Sequence, residues 1–487
     1  MATLQSYGAD KVVTGSCHVV RLENGVNVMI DCGMFQGREE HRNDEPFGFD
    51  PRKIDVLLVT HAHLDHVGRI PKLVKEGFRG TIVATRATFE IANVVLLDAA
   101  KLMEEEYRTL YRKAQRRGQE RKVPPPLYTV EDVENVWLLP TVHAQYGKGI
   151  SIAKGVRVVY HNAGHILGSA FLEIHYKEKG EKHKIVFSGD LGNRKAVVMP
   201  YIDPPGSAHH LVIESTYGDR NHRPMQESID EFKKAVRETL LNRGNVLIPS
   251  FAIERTQDIL CILKEMYINK ELPYCKVFLD SPMAIRATNI FSRYVEELSP
   301  KCQKFFQRDG DVFSFPRLHF TVDVEDSKRI NEVERGAIII AGSGMCTGGR
   351  ILHHFKHHIW NKRNTVIFVG YQAEGTIGRQ IVDGARWIKL YNEKVRVKAK
   401  IFTINGFSAH ADQNELISWM GGFKRLGDIY LVHGESDKEE ALKKAIKKRL
   451  EKKATIVEQG EPYRLDPKPR LKRLRSGKKK EQAKKRS

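Results

Sequence analysis

His61, His63, Asp65 and His66 stand as H-x-H-x-D-H directly after the apolar run 56–60. Imidazole and carboxylate together suit zinc best. In an extended stretch residues i and i+2 share a face, so His61 and His63 can reach one ion, while Asp65 and His66 open the next helix and can reach a second. For this cluster alone, a helix cap with surface histidines is the competing account. Three more residues of the same chemistry sit beside glycine at the ends of apolar runs: His165 in Ala163-Gly164-His165-Ile166-Leu167-Gly168-Ser169, Asp190 in Phe187-Ser188-Gly189-Asp190, and His433 in Leu431-Val432-His433-Gly434. Singly, each reads as a turn residue. Two ions held about 3.5–4 Å apart can generate hydroxide near neutral pH and stabilise both the attacking and the leaving oxygen of an in-line displacement at phosphorus.

The elements that must position these residues alternate along the chain. Short β-branched runs at 11–13, 27–30, 56–60, 81–84, 157–161, 184–188 and 210–214 read as strands, and a charged stretch at 92–121 reads as a long helix ended by Pro124. A second series follows Glu214: helix 226–242, strand 245–249, helix 256–268, and strands 276–279, 337–341 and 365–369. The first series resumes with strands 398–404 and 428–432, a polar helix 437–451 and a strand near 454–458. This is a layered α/β chain in which one domain interrupts another. We expect a first domain over 1–213 and 396–460, an inserted domain over 214–395, and a basic, disordered tail over 461–487.

The order of these motifs resembles that of the metallo-β-lactamase superfamily, and the resemblance implies its αββα sandwich. It further implies that His61, His63 and His165 hold one zinc, that Asp65, His66 and His433 hold a second, that Asp190 bridges them, and that Asp31, in Ile30-Asp31-Cys32-Gly33, orients the site without binding metal. The long interval between Asp190 and His433, and the residues bordering it, resemble the β-CASP group of RNA-processing nucleases within that superfamily. Glu214-Ser215-Thr216-Tyr217-Gly218 matches that group's motif A, Phe407-Ser408-Ala409-His410-Ala411-Asp412 its motif B, and His433 its motif C. The likeness is to stand-alone bacterial and archaeal relatives of the pre-mRNA 3′-end cleavage subunit. It implies that Glu214 holds His410 so that the imidazolium can protonate the departing 3′ oxygen, leaving a 5′-phosphate and a 3′-hydroxyl. Members that act on DNA typically carry valine at motif C, so His433 favours RNA, cut internally or also from the 5′ end.

A glycine-rich segment follows the apolar run 337–341, and in it Ser343, Gly344, Thr347 and Arg350 offer hydroxyls, backbone N–H groups and a guanidinium to phosphates. It lacks the Gly-Lys-Ser/Thr ending of a Walker loop, and a tight turn explains its glycines equally well. Arg255 and Arg379 are further candidates for backbone contacts. His353, His354, His357 and His358 crowd one helical stretch, which we read as a solvated amphipathic helix, and Tyr107 and Tyr111 lie on a charge-rich surface helix.

The net charge of +20 favours an acidic partner, nucleic acid above all. Half of it is local, since eleven lysines and arginines from Lys468 onward face only Glu481. Six scattered cysteines show no CxxC pair and read as small buried hydrophobes. No apolar run approaches the roughly 20 residues of a membrane helix, and the N-terminus has no signal-peptide pattern, so we expect a cytoplasmic protein with RNA, single strands foremost, as its partner. The sequence leaves a homodimer open. A small-molecule zinc hydrolase and a non-catalytic RNA-binding scaffold are the rival functions. The long insertion disfavours the first, and the complete set of metal and acid positions disfavours the second.

Overall fold

The computed structural model describes residues 1–404 and 406–465 together with the backbone of 472–473, so most of the expected basic tail lies outside the described residues. The chain divides into two compact units. The first comprises 1–192, 202–221 and the chain from 410 onward; the second comprises 193–201 and 222–409.

Two sheets face each other in the first unit. One runs, edge to edge, through Tyr463–Arg464, Thr3–Ser6, His18–Arg21, Asn27–Ile30, Val56–Leu58, Thr81–Thr85 and Thr141–Ala144. The other runs through Ala454–Ile456, Arg425–Val432, Ser207–Glu214, Glu181–Phe187, Ala170–Glu178, Val156–Asn162 and Gly149–Ala153. Alternate residues of both meet in one apolar layer, with Val28, Ile30 and Leu58 from the first against Tyr160, Leu172, Phe187 and Val212 from the second. The second sheet's outer face carries Leu211, Ile213 and Leu431 against Leu416 and Met420 of helix Gln413–Gly421 and Leu442 and Ile446 of helix Ser436–Leu450. Strands buried on both faces explain why 210–214 and 428–432 are near-continuous apolar runs.

The strand expected at 11–13 does not form. The chain there turns with Ala9 and Lys11 in the left-handed region, and the carbonyl of Ala9 accepts the N–H of His433 at 2.7 Å, so the segment seats a site residue instead of joining a ladder. The long helix runs Arg86–Gln115, starting earlier than expected because the Thr85 hydroxyl caps it by accepting the Thr88 N–H.

The second unit is built on a fully parallel sheet in the order Leu318–Phe320, Lys276–Asp280, Ala337–Ala341, Val246–Pro249, Thr365–Phe368 and Lys400–Thr403. The strand expected to reopen the first series near 398–404 therefore pairs within this sheet, alongside Thr365–Phe368. Helix Arg350–His358 lays Ile351, Leu352 and Phe355 on the buried strands. His354 and His358 are sunk with them, so this helix is not the solvated one its histidines suggested. All six cysteines are free and buried, as their scatter implied.

Candidate metal centre

Five of the candidate site residues in the first unit stand just past the end of a strand. Asp31 follows Asn27–Ile30, His61 follows Val56–Leu58, His165 follows Val156–Asn162, Asp190 follows Glu181–Phe187, and His433 follows Arg425–Val432. His63 is the N-cap of the short helix Leu64–Val67, which carries Asp65 and His66. Two glycines allow the strand ends to converge. A Cβ on Gly33 would lie 1.5 Å from the carbonyl oxygen of Asp65, and one on Gly192 would lie 1.8 Å from that of Gly164, beside His165.

The candidate ligands gather in two groups. Nε2 of His61 and Nε2 of His165 lie 3.2 and 3.1 Å from Nδ1 of His63, and 3.4 and 3.6 Å from Oδ2 of Asp190. Nε2 of His66 lies 3.3 Å from Nε2 of His433, which is 3.5 Å from Oδ2 of Asp65, and Oδ1 of Asp190 is 3.4 Å from His66. In each group the donor atoms lie within 4.8 Å of one another. Asp190 thus presents one oxygen to each group. It is buried, and neither oxygen accepts a hydrogen bond. An orphaned buried carboxylate between nitrogen donors is strongly unfavourable unless cations sit beside it, so the donor set fits two divalent ions.

In the first group the electrostatics agree, whereas in the second burial is outweighed by the carboxylates of Asp190 and Asp31, which hold the His66 imidazole well above its usual value, with a proton that a bound cation would displace. Burial holds the His61 imidazole well below its usual value and takes His63 down to about 4, leaving both neutral with a lone pair to donate. Burial would raise Asp65, yet the bond to His433 and the charge of His66 bring it down to about 2. For Asp190, burial again opposes ionisation, and the surrounding histidines, His433 first, outweigh it.

Asp31 takes no place among the ligands. Its Oδ2 lies 2.8 Å from Nδ1 of His66, turning Nε2 toward Asp190, while the Thr60 N–H and hydroxyl donate to its two oxygens at 2.7 Å. Opposite, Oε2 of Glu214 lies 3.1 Å from Nδ1 of His410, and Oε1 of Glu214 accepts the Leu191 N–H at 2.6 Å. Burial would depress His410, but the carboxylates of Glu214 and Asp190 push it up to about 9. Two participants escaped the sequence reading. Thr60 immediately precedes His61, and Thr216, inside the motif around Glu214, places its hydroxyl 3.1 Å from Nδ1 of His433. A hydroxyl adjoining a ligand was the only available signal.

The glycine-rich segment belongs to the second unit, between Ala337–Ala341 and Arg350–His358. Its polar groups largely serve the loop itself: Ser343 Oγ accepts the Thr347 N–H at 3.0 Å, and the Gly344 carbonyl accepts the Gln372 amide at 2.9 Å. Arg350 turns inward, donating to Asp280 at 2.6 Å and to the carbonyls of Thr321 and Val322. Arg255 pairs with Asp258, and Arg379 with Asp383.

Three family models match along the chain: the metallo-β-lactamase superfamily over residues 10–240, the Beta-Casp domain over 256–381, and the Zn-dependent metallo-hydrolase RNA specificity domain over 394–457. Ribonuclease TTHA0252 of Thermus thermophilus is 41% identical over 90% of this chain and 95% of its own length. Transcription termination factors FttA of Methanococcus maripaludis and Methanocaldococcus jannaschii are each 32% identical, over 84% and 94% of this chain, which spans 64% and 70% of their lengths. A solved structure of a protein of unknown function from Enterococcus faecalis V583 shares the fold at 12% identity, with a TM-score of 0.53 over 95% of this chain and 99% of that one. By the 41% match across nearly the whole of the Thermus ribonuclease, this chain belongs to the β-CASP group of metal-dependent hydrolases in the metallo-β-lactamase superfamily.

Proposed function

We propose that this chain is a two-zinc ribonuclease that hydrolyses RNA phosphodiester bonds to 5′-phosphate and 3′-hydroxyl ends, within RNA processing or decay. The observation that carries this reading is the buried Asp190 carboxylate, orphaned between two histidine groups. His61, His63 and His165 would hold one ion and Asp65, His66 and His433 the other, with Asp190 common to both. The pair of ions supplies Lewis acidity toward the phosphoryl oxygens and a nucleophilic hydroxide at neutral pH. Asp31 fixes the tautomer and direction of His66. Glu214 orients His410 through Nδ1, and the other ring nitrogen delivers the proton that the departing 3′ oxygen needs.

RNA as substrate rests on the name of the Thermus relative, on the RNA specificity model at 394–457 and on the basic charge. Endonucleolytic cleavage with additional 5′-to-3′ trimming uses this one centre. The Gly344 N–H and the hydroxyls of Ser343 and Thr347 are proposed to face the strand, since the Ser343 and Thr347 N–H groups donate within the loop, whereas Arg350 reaches its phosphates only if it leaves Asp280. A cytoplasmic setting is proposed on the substrate alone.

Elemental analysis of the purified protein, paired with digestion of circular and end-labelled linear RNA, tests the reading. We expect two zinc ions per chain, opened circles, and abolition of cleavage by Asp190→Ala. Fully metallated protein that leaves both RNAs intact would overturn it.

A further inference from the structure

The helix Arg86–Gln115 outruns the body that it packs on. Its buried residues end at Ala100, and the remaining fifteen positions extend about 22 Å with no buried side chain. Leu102, Leu110 and Tyr111 are 60%, 43% and 36% exposed there. The rings of Tyr107 and Tyr111 lie 5.7 Å apart, one turn from each other. Between Arg108 and Lys122 the chain carries seven lysines and arginines against Glu120 alone, all seven exposed. Among the described residues, Arg108 has an acidic partner in Glu104 at 3.0 Å, and no acidic side chain pairs with Arg112, Lys113, Arg116 or Arg117.

The spacing arranges these groups. At 100° per residue, Tyr107 and Tyr111 continue the stripe that buries Ala100, Arg108, Arg112 and Arg116 run along one flank, and Lys113 and Arg117 run along the other. A partly exposed aromatic seam between two cationic stripes is poorly matched to water. Like charges four residues apart repel along each flank, and a polyanion relieves that repulsion. Single-stranded nucleic acid fits both parts of the surface, because phosphates neutralise the flanks and every base has a face that stacks on tyrosine.

We propose that the projecting segment 107–122 is an RNA-binding arm that holds single-stranded substrate away from the metal centre, with cations on phosphates and Tyr107 and Tyr111 on bases. The proposal rests on the ribonuclease reading above. None of these residues is a candidate metal ligand, so the arm adds affinity and direction without entering the chemistry.

The test uses the full chain carrying Asp190→Asn, so that RNA survives, titrated with a labelled single strand of about 20 nucleotides from roughly 50 to roughly 200 mM salt. Replacing Arg112, Arg116 and Arg117 together with glutamine removes three contacts, each contributing about 0.7 to the logarithmic salt slope. The slope falls by about 2, so across that fourfold salt range the parent loses affinity about twentyfold more than the variant. The matching triple lysine variant keeps the slope, and Tyr111→Ala weakens binding at least about fivefold without changing it. Circular dichroism verifies that each variant is folded. A parent that binds RNA, with a folded glutamine variant matching its affinity and slope, overturns the arm alone. Wild-type protein that neither binds nor cleaves RNA overturns the arm together with the ribonuclease reading.

Discussion

Replacing Asp280 with alanine should destabilise the second unit strongly while leaving the metal centre filled. Asp280 ends the strand Lys276–Asp280 and is fully buried. Its carboxylate accepts from Arg350 at 2.6 Å and from Ser327 at 2.7 Å, and lies 2.7 Å from Nε2 of His354, which is equally buried. Burial alone would raise its pKa, and the bonds from His354, Ser327 and Arg350 outweigh burial and lower it. Removing the anion strands those donors, a loss of about 3–5 kcal/mol for a broken buried pair. For a unit of roughly 200 residues each kcal/mol moves the melting temperature by about 2–4 °C, so a drop of about 6–20 °C is expected by calorimetry. Because its folded pKa is depressed, the stability Asp280 contributes is fully present above the unfolded carboxyl value of about 3.9 and is lost as pH falls through the lower folded value. Asp280→Asn should therefore flatten the acid limb of the stability profile below about pH 4. The candidate ligands all lie in the other unit, so metal content should not change. A loss under about 1 kcal/mol, or metal released in proportion to it, would refute this account of the network.

Other substitutions probe the centre itself. Asp31→Ala frees His66 and should weaken metal affinity by about 10–100-fold, read by competition with a chelator. His410→Ala should slow cleavage by about 10²–10⁴-fold with metal content unchanged, and Glu214→Gln should share that defect because it loosens the same ring; normal turnover by His410→Ala would remove it as the acid. Truncation after Asp466 should weaken RNA binding and flatten its salt dependence at unchanged metal content, and an unaltered slope would exclude the tail from the contact.

Much of the first unit was legible because chemistry and periodicity coincide there. His61, His63, Asp65 and His66 are distinctive by spacing, and His165, Asp190 and His433 each close an apolar run that is a strand. What stayed hidden depended on partners distant in sequence. The run at 400–403 reads as a strand, yet periodicity cannot say which sheet receives it. Arg350 looked free for a phosphate because nothing near it in the chain announces Asp280. His354 and His358 share a polar-looking stretch with His353 and His357, but only the first two face the core. Ala9 and Lys11 sit in an apolar, strand-like context, and their left-handed backbone serves a histidine more than four hundred positions away.

Strands Ser207–Glu214 and Arg425–Val432 are parallel neighbours, with Glu214 directly opposite Val432. Parallel partners require a crossover connection of some kind, and here that crossover carries residues 222–409, the larger part of the second unit. The entropy of closing such an excursion grows only with the logarithm of its length, about 0.6 kcal/mol for each doubling. The two strands thus act as a socket whose contacts are set by the ladder between them and not by what is plugged in. A lineage can enlarge, trim or exchange that cargo while Glu214 and His433 keep their spacing.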